Sequence, residues 1–238
     1  MKLDVLAIGA HPDDVELGCA GLLLSEKKLG KKTGIIDLTR GELGTRGTIE
    51  TRKKEADAAS AILQLDAREN LGMSDGFFQN DEQHQRKLIT AIRKYQPEII
   101  ICTAPEDRHP DHGRAAELVA RAAYLSGLRK IETTHNGKKQ QAWRPQAVYH
   151  YIQDYPLKPD LVVDITGFLD QKMDLIQTFK SQFYDPASLE PDTPISSADF
   201  LDFQVARARV YGKYISVKFA EGFTVARPVG VSSLLPLK

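Results

Sequence analysis

Two short strings concentrate the residues of this chain that could do chemistry. The first reads Ala10-His11-Pro12-Asp13-Asp14-Val15-Glu16-Leu17-Gly18, and the second reads Arg108-His109-Pro110-Asp111-His112-Gly113. Counted from Gly9, a dinucleotide-binding Gly-x-Gly-x-x-Gly turn would have His11 at its third position and Asp14 at its sixth. A pyrophosphate needs bare backbone at both, so that cofactor is disfavoured. Two adjacent acids at a helix start also have a structural reading, because Asp13 or Asp14 could cap the helix and complement its dipole. The second string shifts the balance, since it holds two of the six histidines. A histidine and an aspartate from one string with a histidine from the other would supply two neutral imidazoles and a carboxylate. Three such ligands with open positions describe a catalytic divalent metal site, whereas a structural zinc site is closed by four ligands, usually including cysteine.

The surrounding elements explain how strings about a hundred residues apart could meet. Residues 5–9, 33–38, 67–71 and 98–103 are short apolar runs that read as strands, and residues 15–28, 51–65, 84–95 and 114–126 read as helices between them. This alternation predicts a single α/β domain over 1–238: a mostly parallel, Rossmann-like sheet with helices on both faces. Each string follows a strand and precedes a helix, so the metal site falls at the carboxyl ends of the strands, where such folds bind ligands. Residues 127–143 break the pattern, and His135-Asn136-Gly137 signals a solvated hairpin or loop. Strands resume at 147–151 and 161–165, with helices over 168–179 and 200–215 and an irregular, proline-containing loop over 184–197.

Composition removes other classes. Of 238 residues, 42% are hydrophobic and 27% charged, which fits a globular chain, and 32 basic residues balance 32 acidic ones. There is thus no overall charge to recruit nucleic acid or an anionic membrane. Cys19 and Cys102 cannot form a disulfide framework and read as small buried hydrophobes. No signal-peptide pattern is legible and no apolar stretch approaches a membrane span, so a cytoplasmic protein is expected.

The His-Pro-Asp-Asp and His-Pro-Asp-His pair resembles the PIG-L/LmbE-like family of zinc-dependent N-acetylglucosaminyl deacetylases, along nearly the whole chain. Thr51-Arg52-Lys53-Lys54-Glu55-Ala56, Ser74-Asp75-Gly76, Ser181-Gln182-Phe183 and Phe219-Ala220-Glu221-Gly222-Phe223 resemble the branch that deacetylates N-acetylglucosaminyl-malate in bacillithiol biosynthesis. The resemblance implies that His11, Asp14 and His112 bind Zn²⁺, with Fe²⁺ or another divalent ion as an alternative, and that Asp13 is the general base. His109 would stand near the developing oxyanion as an imidazolium donor or acid, and Asp111 would orient an imidazole or simply cap its helix. Arg52, Asp75 and Arg108 are the substrate-binding candidates, for sugar hydroxyls or a carboxylate. The bland readings beside them are a solvated helix face for Arg52 and a turn for Asp75. Tyr149, His150 and Tyr151 stay outside the set, because strand alternation leaves open which of them faces a pocket.

The expected partner is a small-molecule glycoside, with self-association into a homo-oligomer and no nucleic acid or membrane. Two other activities compete with the amidohydrolase. Two histidines and a carboxylate also form the facial triad of Fe(II) and O₂ chemistry. A non-catalytic sugar binder is the other, though it would have no need of Asp13 and His109.

Overall fold

The computed structural model describes residues 1–235 and residue 237. Its centre is a seven-stranded sheet of order β3-β2-β1-β4-β7-β9-β8. The strands are β1 (Val5–Gly9), β2 (Thr33–Thr39), β3 (Ala67–Met73), β4 (Ile99–Cys102), β7 (Ala147–Tyr151), β8 (Leu161–Asp164) and β9 (Ala220–Val225), while β5 (Thr134–His135) and β6 (Lys138–Lys139) make the expected hairpin. The first five strands of that order pair in parallel, and β9 runs antiparallel to both β7 and β8. The helices are α1 (Asp14–Lys28), α2 (Ile49–Leu63), α3 (Glu82–Tyr95), α4 (Pro110–Leu125), α5 (Leu169–Thr178) and α6 (Ala198–Tyr214).

Strand β1 is buried along its whole length, and alternate residues feed opposite faces. Val5 and Ala7 join the core under α1, α2 and α5, while Leu6 and Ile8 join the core under α3 and α4. A strand covered on both faces reads as a continuous apolar run because neither side meets water. From β1 the chain passes through α1 to β2 on one side, and β4 lies on the other. The loops after β1 and β4 therefore flank the topological switch point, the crevice where α/β sheets take their ligands.

Most element ends lie within two residues of the sequence reading, and two larger differences bear on the site and its supports. Helix α4 begins at Pro110 rather than near 114, since proline at the first helical position loses no hydrogen bond; this puts His112 in the first turn. Strand β9 was not expected at all, because Ala220-Glu221-Gly222 carries a charge and a glycine where a strand should alternate. Helix α1 explains the charge. It kinks at Cys19 (φ −148°, ψ 22°), which frees backbone groups on both sides of the break. Glu221 accepts from Gly21 N at 2.9 Å and Leu22 N at 2.7 Å, and Lys172 Nζ donates to Leu17 O at 2.8 Å and to Glu221 Oε1 at 2.6 Å. The ion pair thus supplies what the kinked helix lacks. Glu221→Ala is expected to lower unfolding free energy by about 3–5 kcal/mol, because it strands the Lys172 charge in the core; urea unfolding checks this.

Among the described residues no helix is long and apolar enough to cross a membrane.

Candidate metal and catalytic site

The chain leaves β1 through Gly9, where a Cβ would stand 2.9 Å from His11 O and 3.1 Å from Asp14 Cβ. The turn so formed folds Asp14 back beneath His11. Asp14 Oδ2 accepts from His11 N at 2.9 Å and lies 3.5 Å from His11 Nδ1; Oδ1 lies 3.2 Å from His112 Nε2. One carboxylate therefore stands between an imidazole of its own loop and an imidazole of the β4 loop. Gln153, from the loop after β7, donates its Nε2 to Asp14 Oδ1 at 2.7 Å.

The far nitrogen of each imidazole is anchored on a buried acid. His11 Nε2 is 2.9 Å from Asp75 Oδ1 and 3.5 Å from Asp111 Oδ2, and His112 Nδ1 is 2.7 Å from Asp107 Oδ2. Carboxylates can only accept, so a ring proton sits on each of those anchored nitrogens, and His11 Nδ1 and His112 Nε2, the nitrogens that face Asp14, are the ones each ring would offer to a bound ion. Imidazoles held in this way on carboxylates are the usual surroundings of a metal-binding histidine. Ring nitrogens of His11, His109 and His112 also come within 4.8 Å of one another. His109 differs from the other two in its anchor, because its Nδ1 accepts the Asp111 backbone N–H at 3.2 Å. Its proton therefore belongs on Nε2, which makes it a hydrogen-bond donor rather than a ligand.

Asp13 settles the capping question for its own side chain. It occupies the N-cap of α1 with φ 119° and ψ −25°, but its carboxylate caps nothing. A non-glycine residue held at such a φ stores strain, of order 1–3 kcal/mol, and such strain clusters at functional sites. The carboxylate lies instead 3.3 Å from Arg52 Nη2, and the same nitrogen bonds Gln182 Oε1. Burial pushes the Asp13 carboxyl up to about 7, against the pull of Arg52. Burial acts on Asp14 in the same sense, but His112 and His11 hold it well below the usual carboxylate range. Adjacent acids are thus driven apart, one kept as an anion and one able to exchange a proton near neutrality.

All the expected site residues except Asp111 line one cavity of about 420 Å³. Several take other roles than the sequence suggested. Asp75 was expected to meet sugar hydroxyls, but its oxygens are taken by His11 and by Leu43 N at 2.9 Å, so it is an anchor. Burial would raise its pKa, yet the bond to His11 brings it down to about 2. Asp111 was a catalytic candidate or a cap; it is fully buried, its backbone is capped by His109, and its carboxylate accepts from Gly76 N at 2.8 Å while facing His11 of the opposite loop. Arg52 is buried rather than solvated on its helix. Arg108 stays half-exposed at the cavity and pairs with Asp154. Tyr149, His150 and Tyr151 stay out of the cavity: the Tyr151 ring packs on Gly18 and His150 Nδ1 bonds Thr103 O at 2.8 Å.

Asp107, Gln153 and Gln182 were missed as individual site residues. Nothing in the spacing of Asp107 separates it from any other loop acid. Gln153 had a usable signal, since it lies just past a strand that pairs in parallel with β4.

Imidazoles and buried carboxylates converge at the carboxyl edge of the parallel strands and leave a place for a divalent ion. The family described as PIG-L, GlcNAc-PI de-N-acetylase, matches residues 6–123, and the chain belongs to it. It is 37% identical to the conserved protein TT1542 of Thermus thermophilus, whose crystal structure superposes with a TM-score of 0.85 over 96% of this chain and 97% of that one. Diacetylchitobiose deacetylase of Thermococcus kodakarensis is 29% identical over 75% of this chain and 70% of its own length. The probable N-acetyl-alpha-D-glucosaminyl L-malate deacetylase 2 of Bacillus subtilis is 28% identical over 76% of this chain and 84% of its own. The chain is accordingly an enzyme of the amide-hydrolysing kind.

Proposed function

We propose that this chain removes the N-acetyl group of a small-molecule N-acetylglucosaminide, with Zn²⁺ held by His11, Asp14 and His112. The observation that carries this is the paired anchoring of the two imidazoles: each turns one ring nitrogen toward Asp14 while its other nitrogen is tied to a buried acid. The nitrogen and oxygen donor set fits zinc, although other divalent ions share it. When bound there, the ion would polarise the acetamide carbonyl and lower the pKa of its water. Asp13 accepts the proton of the attacking water and returns it to the departing nitrogen. His109 donates from Nε2 toward the carbonyl oxygen as that oxygen gains charge. This replaces the imidazolium role, since a doubly protonated ring would lose the bond from Asp111 N. Arg52 keeps Asp13 turned into the cavity. The buried base beside the ligand set favours hydrolysis over O₂ chemistry, and oxygen consumption with the Fe²⁺-loaded protein tests the alternative.

For the finer substrate, the resemblance to the bacillithiol branch favours N-acetylglucosaminyl-malate. Arg52 is buried against Asp13, whereas Arg108 pairs with Asp154 through Nε alone and is half-exposed at the cavity, which leaves its Nη groups to meet an aglycone carboxylate. A carboxylate contact by a half-exposed arginine is worth about tenfold in kcat/KM. The malate conjugate should therefore be deacetylated about tenfold faster than free N-acetylglucosamine, and Arg108→Met should remove the difference. Diacetylchitobiose belongs in the same acetate-release assay, because the relative named for it is as similar. Should it be preferred, with no effect of Arg108→Met, the malate reading is wrong and the deacetylase reading stands. Cytoplasmic residence and self-association complete the proposal. The two free buried cysteines support the first, and the exposed Val210 and Tyr214 of α6 support the second, which sedimentation tests.

A further inference from the structure

Three loops meet at Asp14, and the third has no part in either sequence signature. The carboxylate has one fixed donor on each oxygen: His11 N on Oδ2 at 2.9 Å and Gln153 Nε2 on Oδ1 at 2.7 Å. The first belongs to the turn that creates Asp14's position. The second reaches across from the loop after β7, and Gln153 is only 7% exposed. That loop is also stitched to the β4 loop, because Tyr155 N donates to Asp107 Oδ1 at 3.0 Å and Asp154 pairs with Arg108. Asp107 is the acid behind His112. The segment 153–155 thus touches the supports of candidate ligands from both signatures.

Resting on the metal-dependent reading above, we propose that Gln153 is a positioning residue that fixes the plane of the Asp14 carboxylate and thereby sets metal affinity. The amide orientation follows from chemistry, because a carboxylate oxygen must meet the –NH₂ end. With His112 Nε2 given to the ion, loss of that donor would leave Asp14 a hydrogen bond on one oxygen alone and free to turn about its last torsion. Loss of a hydrogen-bonding partner behind a metal ligand weakens affinity by about 10 to 100-fold.

The test uses Gln153→Met, which keeps length and volume without a donor, and Gln153→Glu, which fills the same space with an acceptor. Zinc affinity by chelator competition and the visible absorption of the Co²⁺-loaded protein are measured for both, with urea unfolding of the metal-free forms alongside. The expected result is a zinc Kd raised about 10 to 100-fold in Gln153→Met, further in Gln153→Glu, with an altered Co²⁺ spectrum. At saturating zinc, kcat should fall and KM should stay near the parent value. Parental zinc affinity and Co²⁺ spectrum in a folded variant overturn the proposal. If Gln153→Met loses its cooperative unfolding transition, Gln153→Glu decides by the same readings. A parent protein that binds zinc but releases no acetate refutes the deacetylase reading and leaves this test intact, whereas one that binds no zinc overturns both.

Discussion

Asp13→Asn is expected to keep its fold and its zinc while turnover falls by about 10² to 10⁴, the usual contribution of a general acid-base group. The substitution is nearly isosteric. It leaves an amide able to meet Arg52, and it disturbs no helix cap, since the Asp13 side chain makes none. What it removes is a carboxyl that burial brings to about 7, beside an Asp14 held ionised. Acetate release, zinc content and thermal stability measured together separate the outcomes. Lost zinc would make Asp13 a ligand, and near-normal turnover would remove it from the mechanism. Asp13→Gly gives an independent control on the strain. Glycine adopts a φ of 119° without the Cβ penalty, so this variant should unfold at a higher temperature while remaining inactive. A lower melting temperature would show that the Arg52 contact outweighs the relief of strain.

His112→Ala is expected to reduce bound zinc from about one ion per chain to near none, because a three-ligand site does not survive as two. The cavity left in the first turn of α4 is small, so the far-UV spectrum should persist. Two companions locate the cause. Asp107→Asn removes the charged acceptor behind His112 Nδ1 and should weaken zinc by about 10 to 100-fold without abolishing it. His109→Ala should keep zinc and lose activity by about 10² to 10³, as for loss of one donor to a developing oxyanion. Full zinc in His112→Ala, or zinc lost in His109→Ala, would exchange the two histidines in the assignment.

The family comparison and the geometry bear on different parts of this picture. Membership fixes the kind of enzyme, and two relatives of nearly equal similarity act on different glycosides by their names, so it leaves the aglycone to experiment. At the cavity the local facts are the Arg108–Asp154 pair and the commitment of Arg52 to Asp13. They make Arg108 the residue through which the two substrates should be told apart.

Much of the architecture could be read from the chain itself. Buried parallel strands announce themselves as short apolar runs, and the helices between them as amphipathic segments. The two signatures lie at corresponding strand ends, which is why His11, Asp14 and His112 could be grouped before any coordinates. The polar hairpin at 134–139 was legible for a similar local reason, since Asn136 and Gly137 both adopt the positive φ its turn needs. Strand β9 was not legible: its glutamate makes sense only against the kink at Cys19 and the ammonium of Lys172, each far away in sequence. The same holds for the anchors. Asp107 carries no spacing that marks it, and nothing in the sequence around Asp75, Asp111 or Gln153 says which group each one anchors, because a hydrogen bond to the back of an imidazole or carboxylate is fixed by where separate loops meet. The solvated reading of Arg52 fails for a related reason: helical periodicity reports which face is apolar, but not that a buried aspartate stands opposite one of its arginines. Residue types and strand-end spacing determined which groups could bind and react. Tertiary packing alone decided which nitrogen of each histidine faces inward and which of two adjacent aspartates is left free to move a proton, because hydrogen-bond direction and burial at this site arise from contacts between distant parts of the chain.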